Sequence, residues 1–227
     1  MRDDPLLTLA ALEGVPSAVA AARDAVDAVL ADRGLRRLSA DQRARALLQG
    51  ARDNAALSDD PERMLAGAVR LAQELPDLAA LILSAPGQAL ARTHTLVAKD
   101  LVPDERLGRI RPEAADRMTG LQRLLTGRSE APAIVLAAVA HAEVASVRPF
   151  GTGDDLVARA TEQLVLVARG LDPYGVVGVA SGHLALREEY RRRLAGYAAV
   201  SGVGPWIEYC ARALTGAAER LGALLNE

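Results

Sequence analysis

The stretch from Arg148 to Arg159, RPFGTGDDLVAR, brings two arginines and two aspartates together around a glycine-rich turn. An apolar helical pattern, Ala131 to Val147, precedes it, and a second helical pattern begins at Asp154. Such a turn at a helix N-terminus can bind an anion, because free backbone N–H groups and the helix dipole point to the same place. The stretch therefore predicts a phosphate or carboxylate site, unless its own aspartates fill that site.

Asp154 and Asp155 fall in the first turn of the second predicted helix. A carboxylate there accepts hydrogen bonds from free N–H groups and interacts favourably with the dipole, by about 0.5–2 kcal/mol as a cap. Two carboxylates would also repel an incoming triphosphate. We therefore expect one of them, or both, to accept from N–H groups of its own helix, and at least one to face Arg148 or Arg159.

The two arginines allow two interpretations. Arg148 could pair with Asp154 or Asp155 and lock the loop, or Arg148 and Arg159 could together hold a carboxylate or phosphate of a ligand. The candidate ligand-binding residues of the loop are therefore Arg148, Gly151, Thr152, Gly153, Asp154, Asp155 and Arg159.

The same stretch resembles the active-site motif of Fic-domain proteins, His-Pro-Phe-x-(Asp/Glu)-Gly-Asn-Gly-Arg-x-x-Arg. The residues that match the motif are Pro149, Phe150, Gly153 and Arg159. The replacements, in motif order, are Arg148 for the catalytic histidine, Thr152 for the metal-binding acid, Asp154 for the asparagine, Asp155 for the second glycine and Leu156 for the first arginine.

The resemblance implies a chemistry that these replacements disable. Fic proteins transfer a nucleotide monophosphate, usually AMP from ATP, to a Ser, Thr or Tyr hydroxyl, with the histidine as base, the acid on magnesium and the Asn, Gly and Arg positions on the phosphates. Arg148 cannot be the base, since its pKa lies above ~12, and loss of a general base costs about 10²–10⁴-fold. Thr152 offers Mg²⁺ a neutral hydroxyl, and Leu156 cannot hold a phosphate.

These replacements predict a degenerate Fic-domain protein: a pseudoenzyme or a binding or regulatory module that has lost AMP transfer. One alternative is a transferase of altered chemistry that uses the Arg148–Arg159 loop on a non-ATP ligand. Another is a protein adenylyltransferase with unrecognised catalytic residues. No catalytic residue and no cofactor are assigned from the sequence.

The segment Ala55 to Asp59 resembles the inhibitory helix of many Fic proteins. In those proteins a Ser-x-Ile-Glu-Gly-like sequence places a glutamate in the active site and blocks the nucleotide. Ser58 stands at the glutamate position, so the resemblance implies that the inhibitory carboxylate is missing. The other interpretation is an ordinary helix C-terminus.

Two further segments extend the resemblance. The alternation Arg109-Ile110-Arg111 after Gly108 is compatible with a short β-hairpin flap near 102–111. In Fic proteins a hairpin flap there aligns the target chain by strand addition, which implies an extended peptide as partner. The stretch containing Arg187-x-x-Tyr190 resembles the C-terminal Arg-x-x-Tyr helix of the family.

His141 lies two helical turns before Arg148 on the same face. It could replace the lost base, or it could form a hydrogen bond in the core, since many Fic sequences carry a histidine at this position. His94 and His183 lack a second ligand at i+3 or i+4, and Cys210 is the only cysteine. No metal site is therefore predicted.

Composition favours an all-α fold. The chain has 227 residues, of which 50% are hydrophobic, 25% charged and only 3% aromatic, so its core consists mainly of small aliphatic side chains that suit close helix packing. We expect a Fic-like helical bundle in one compact unit, with an N-terminal helical region, residues 1–48, and a Fic-like domain, residues 49–227. Residues 1–15 form a loose lead in this prediction.

Local patterns also predict where further helices begin. Ser39 to Gln42 has the pattern of a capping box, and Asp60 stands before Pro61 as an N-cap. A charged helix is predicted from Ser181 to Ala198.

The formal net charge of −2 gives no field that would attract nucleic acid. The N-terminus, MRDDPLL, lacks the basic start and apolar core of a signal peptide. The most apolar run, Ala131 to Val147, is short for a membrane span and contains His141 and Glu143. We expect a cytoplasmic protein without nucleic-acid or membrane partners, its oligomeric state open.

Overall fold

The computed structural model describes residues 4–225, which are all-α: they contain helices and no β-strand. The α-helices are α1 (Pro5–Ala10), α2 (Val15–Ala31), α3 (Arg33–Arg37), α4 (Ala40–Ala56), α5 (Pro61–Ile82), α6 (Pro86–Ala98), α7 (Ala115–Thr126), α8 (Ala133–Val147), α9 (Asp154–Ala168), α10 (Val179–Ala185), α11 (Arg187–Gly196) and α12 (Val203–Leu225). Short 3-10 turns occur at Asp104–Arg106, Pro112–Ala114 and Val200–Gly202.

Several helices begin at a side chain that accepts a hydrogen bond from a free backbone N–H group. Ser39 and Gln42 form the predicted capping box of α4, and Asp60 caps α5 ahead of Pro61. Asp4 accepts the Leu6 N–H in the same way and starts α1. The loose lead predicted for residues 1–15 is therefore wrong over α1, while residues 1–3 lie outside the described part of the chain.

Helices α8 and α9 form the centre of the bundle and pack side by side, as their apolar patterns predicted. Ten of the fifteen residues of α8 are buried, and Leu156 and Leu164 of α9 are fully buried. Pro132 precedes α8, so that helix begins slightly later than the apolar run itself. The packing of both helices therefore determines the position of the turn between them.

The remaining helices surround this pair. Helix α5 packs on α9 and lies between α4 and α6, which also contact α9. On another side, α12 contacts α8, while α2 and α10 pack on α12. The helix predicted from Ser181 to Ala198 is interrupted at Leu186, where the backbone leaves the helical region, which produces α10 and α11.

The hairpin flap expected near 102–111 is absent from the described structure. A 3-10 turn follows Pro103, and the backbone groups bond elsewhere in the chain: the Gly108 N–H donates to His94 Nδ1 (2.9 Å) and the Arg111 N–H to the Pro149 carbonyl (2.8 Å). These bonds occupy N–H groups that a hairpin would pair across its strands. Docking of an extended peptide by strand addition to a hairpin at this tract therefore has no structural basis.

Between residues 4 and 225, none of the helices combines the length and apolarity needed to span a membrane.

Candidate functional site

The loop from Arg148 to Gly153 turns the chain through left-handed backbone conformations. Arg148 ends α8 with φ 50°, and Gly151 and Gly153 have φ 82° and 70°. A Cβ on Gly153 would lie 2.6 Å from Val97 Cγ1, so only glycine fits against α6 there. The retained glycine therefore fixes the position of the loop against the helix below it.

The Asp154 side chain forms a hydrogen bond with the backbone of the loop. Its Oδ1 accepts the Phe150 N–H at 2.8 Å, while its Oδ2 is buried without a hydrogen-bond partner among the described residues. Burial raises the pKa of Asp154, and the N–H groups of Phe150 and Gly151 and the charges of Arg148 and Arg111 offset only part of that effect. This carboxylate thus bonds to the preceding turn instead of capping its own helix, and the predicted contact with an N–H group of α9 is made by Asp155, at the Leu156 N–H.

Asp155 faces Arg159, as predicted for at least one aspartate. Its Oδ2 lies 3.2 Å from Arg159 Nη2, four residues along α9, and also accepts a hydrogen bond from the Ser58 hydroxyl. Burial raises the pKa of Asp155, but Arg159, Ser58 and the Leu156 N–H together hold it below its ordinary value. The carboxylate that replaces the second motif glycine is therefore ionised and paired.

Arg159 is 1% exposed, and each of its guanidinium nitrogens has an acceptor. Nε donates to Asn54 Oδ1 (2.6 Å), Nη2 to the Asn54 carbonyl (3.0 Å) and to Ser58 Oγ (3.3 Å), and Nη1 approaches the Tyr190 hydroxyl (3.5 Å). The arginine that matches the motif is therefore fully engaged by its own chain.

The end of α4 lies directly over this arginine. Besides the contacts of Asn54 and Ser58, Arg187 Nη2 donates to the Ala56 carbonyl at 2.8 Å. The first residue of the Arg-x-x-Tyr sequence thus holds the end of α4, and its last residue, Tyr190, contacts Arg159. The segment that resembles an inhibitory helix and the motif loop are neighbours, although the sequence separates them widely.

Arg148 does not form the predicted lock. It is exposed and makes no ion pair with Asp154, Asp155 or any other described residue. Its carbonyl accepts from Arg111 Nη2 (2.8 Å) and Nε (3.2 Å), so the backbone, not the side chain, is held. The reason is the left-handed conformation at the end of α8, which leaves this residue at the surface while Asp155 finds Arg159 on its own helix.

The other loop candidates divide by exposure. Gly151 is exposed, Thr152 is partly buried and Gly153 is buried. Leu156, at the position of the first motif arginine, is 0% exposed and belongs to the core. A position that the motif uses to hold phosphate is therefore occupied here by an apolar core side chain.

His141 takes the core role and lies away from the loop surface. It is 0% exposed, with Nδ1 2.5 Å from Glu162 Oε2 and Nε2 3.0 Å from the Tyr190 hydroxyl. Burial lowers its pKa to about 4, although contact with Glu162 acts in the opposite direction. The same Glu162 oxygen lies 2.8 Å from His183 Nε2, whose Nδ1 is 2.9 Å from the Tyr209 hydroxyl.

Several members of these networks could not be predicted from the sequence. Asn54, Glu162 and His183 come from different helices, so no local spacing joins them. His94 is the clearest omission: it lies under the loop and stacks on Phe150 at 4.2 Å between ring centroids. Its burial lowers its pKa to about 4, which makes it neutral near pH 7. For His94, a lone polar residue among apolar neighbours was the only indication in the sequence.

No protein-family model and no curated protein matches the sequence. Two solved structures are similar in fold: a Fic family protein from Desulfovibrio desulfuricans G20, with a TM-score of 0.73 and 16% identity over 92% of this chain and 75% of that chain, and Fic-1 (residues 134–508) from C. elegans, with a TM-score of 0.68 and 19% identity over 98% of this chain and 74% of that chain. Together with the central helix pair and the loop between them, this similarity shows that the chain has the Fic fold.

Proposed function

We propose that this protein is a pseudoenzyme or a binding or regulatory module of Fic fold that has lost AMP transfer. The observation that carries the proposal is the contact between Asp155 and Arg159, at 3.2 Å, in the first turns of α9 that follow the loop. A phosphate that used this loop would need Arg159, and the guanidinium is already satisfied by a carboxylate, an amide and hydroxyl groups. Release of those partners would leave buried polar groups unpaired, which is costly.

The replacements affect different parts of the transfer reaction, so one compensating residue cannot restore it. Arg148 stands at the base position and holds no lone pair. Thr152 provides no carboxylate for Mg²⁺. Leu156 is buried at a phosphate position. His141 does not compensate, because it is enclosed between Glu162 and Tyr190.

The contacts at the end of α4 support a site that is permanently closed to a nucleotide. In Fic proteins with an inhibitory helix, the resemblance implies that a glutamate from that helix blocks the nucleotide. Here Ser58 stands at that position, and it bonds both Asp155 and Arg159. The blocking carboxylate therefore comes from the loop itself, and α4 contributes hydroxyl and amide groups that hold it in place.

We also propose that the chain forms one compact unit with an N-terminal helical region, residues 1–48, and a Fic-like domain, residues 49–227. The boundary falls inside α4, and α2 packs on α12. The two regions are therefore expected to unfold together, in a single transition of the urea unfolding curve.

Label transfer tests the proposal. Purified protein is incubated with each of the four ribonucleoside triphosphates, labelled at the α-phosphate, together with Mg²⁺ and a cell lysate. We expect no more protein-bound label than with heat-denatured protein. Transfer that the native chain supports and that disappears in the Asp154→Ala variant would contradict the proposal and favour a transferase of altered chemistry.

A further inference from the structure

A cluster of four potential metal ligands lies in the core, away from the motif loop. It consists of His141 on α8, Glu162 on α9, His183 on α10 and Cys210 on α12, none more than 2% exposed. Ligand atoms of His141, Glu162 and Cys210 all lie within 4.8 Å of one another, and His183 Nε2 is 2.8 Å from Glu162 Oε2. Three helices therefore bring a nitrogen, an oxygen and a sulfur ligand close together in the core, and His183 on a fourth helix adjoins them through Glu162.

The negative charge of the buried Glu162 carboxylate favours a cation in this cluster. Glu162 is a buried carboxylate whose hydrogen-bond partners are two imidazoles. Arg159 reaches this group only through the Tyr190 hydroxyl and His141. A buried charge is costly unless it is compensated. A divalent ion with one carboxylate, one thiolate and two neutral imidazoles is neutral as a whole, which removes that cost.

We propose that these residues, His141, Glu162, His183 and Cys210, bind one structural Zn²⁺ ion. Zinc takes four ligands in tetrahedral geometry from these same donor types, sulfur, imidazole nitrogen and carboxylate oxygen. The other ring nitrogens support the assignment: His141 Nε2 lies 3.0 Å from the Tyr190 hydroxyl and His183 Nδ1 lies 2.9 Å from the Tyr209 hydroxyl. Metal-bound histidines characteristically donate their outer N–H in this way.

Zinc binding requires the two imidazoles to move slightly away from the Glu162 carboxylate. With metal–ligand bonds of about 2.0–2.1 Å, nitrogen and oxygen ligands of tetrahedral zinc are about 3.3 Å apart. The corresponding contacts to Glu162 Oε2 are 2.5 Å from His141 Nδ1 and 2.8 Å from His183 Nε2. On binding, the two imidazoles therefore move away from Glu162 Oε2 by less than about 1 Å. Since the site is enclosed, zinc enters as the chain folds, as in other structural zinc sites.

The experiment uses the full chain, unfolded in chelator and refolded with excess Zn²⁺ or Co²⁺, then freed of unbound metal. Plasma mass spectrometry is expected to find about one zinc ion per chain. The cobalt form is expected to show the near-ultraviolet charge-transfer band of a thiolate ligand. In the Cys210→Ala variant that band should disappear, while His94→Gln, which changes a buried histidine outside the cluster, should retain it.

Two results would overturn the proposal. One is a refolded parent chain with native circular dichroism and no bound zinc. The other is a cobalt spectrum without a thiolate band. Either result would show that these side chains form a metal-free hydrogen-bonded core. Both readouts are independent of the motif loop, so they do not bear on whether AMP transfer has been lost.

Discussion

Replacement of Glu162 by alanine should lower the free energy of unfolding by about 2–6 kcal/mol, since it leaves two buried imidazoles without a hydrogen-bond partner at about 1–3 kcal/mol each. Glu162 accepts from both His141 and His183 through one oxygen, and all three side chains are buried. Without the carboxylate, two imidazoles lose a partner in the core and a cavity opens between α8 and α9.

Urea unfolding followed by circular dichroism measures this loss. The matched control is Glu219→Ala, which removes an exposed glutamate and should stay within about 0.5 kcal/mol of the parent. Equal stability of the two variants would show that the buried network contributes nothing. A single transition is expected for the parent, because α2 packs on α12; two separate transitions would contradict one cooperative unit.

The same network predicts that the metal-free chain loses stability in acid. Burial raises the pKa of Glu162, but His183 and His141 outweigh it and hold that pKa at about 2, below the ordinary 4.5. The unfolded chain therefore binds this proton more readily, so the stabilisation is complete above about pH 4.5 and is lost as the pH falls towards 2. Burial of His141, which lowers its pKa to about 4, adds a loss that begins below its ordinary 6.5. Urea unfolding at a series of pH values measures both losses, and Glu162→Ala should remove the part due to the carboxylate.

The second large effect is expected at the loop. The double change Asp154→Asn and Asp155→Gly restores motif residues, removes two negative charges and frees Arg159 from the carboxylate 3.2 Å away. We expect the variant to bind phosphate or sulfate at the loop, because the start of α9 then carries no carboxylate and Arg159 loses its only carboxylate partner among the described residues. Stability should fall modestly, by about 1 kcal/mol, since glycine is unfavourable within a helix.

Calorimetric titration with sulfate compares this variant with its parent. The control, Asp24→Asn with Asp27→Gly, makes the same chemical changes at exposed positions of α2. AMP transfer should stay absent, since Arg148 still supplies no base. If the loop variant takes up sulfate no better than the parent and is equally stable, the aspartates neither fill nor hold the turn.

Local sequence signals predicted the frame of this molecule well. The Ser39 capping box, the cap at Asp60 and the helices on either side of the loop follow from residues a few positions apart, where side chain and backbone interact directly. The resemblance to Fic proteins indicated which distant segments meet, which helical periodicity cannot do. It placed Ser58 at the active site, where the structure shows its contact with Arg159.

Contacts between distant segments explain the errors. Alternation at Arg109 and Ile110 is compatible with a strand, but the neighbouring N–H groups bond to His94 and Pro149, far along the chain. The meeting of His141, Glu162 and His183 likewise depends on how three helices pack, which helical spacing within one segment does not encode. The expected Arg148 lock does not form because Asp155 has a closer arginine one turn along its own helix.

The proposed function requires that the loop is filled by its own side chains and no longer accepts a nucleotide. Isothermal titration of the parent chain with ATP and Mg²⁺ at millimolar concentration tests this requirement. We predict no heat beyond dilution, because Arg159 is occupied by Asp155, Asn54 and Ser58. A saturable signal with micromolar affinity would contradict the proposal and show that the acidic turn does not exclude the nucleotide.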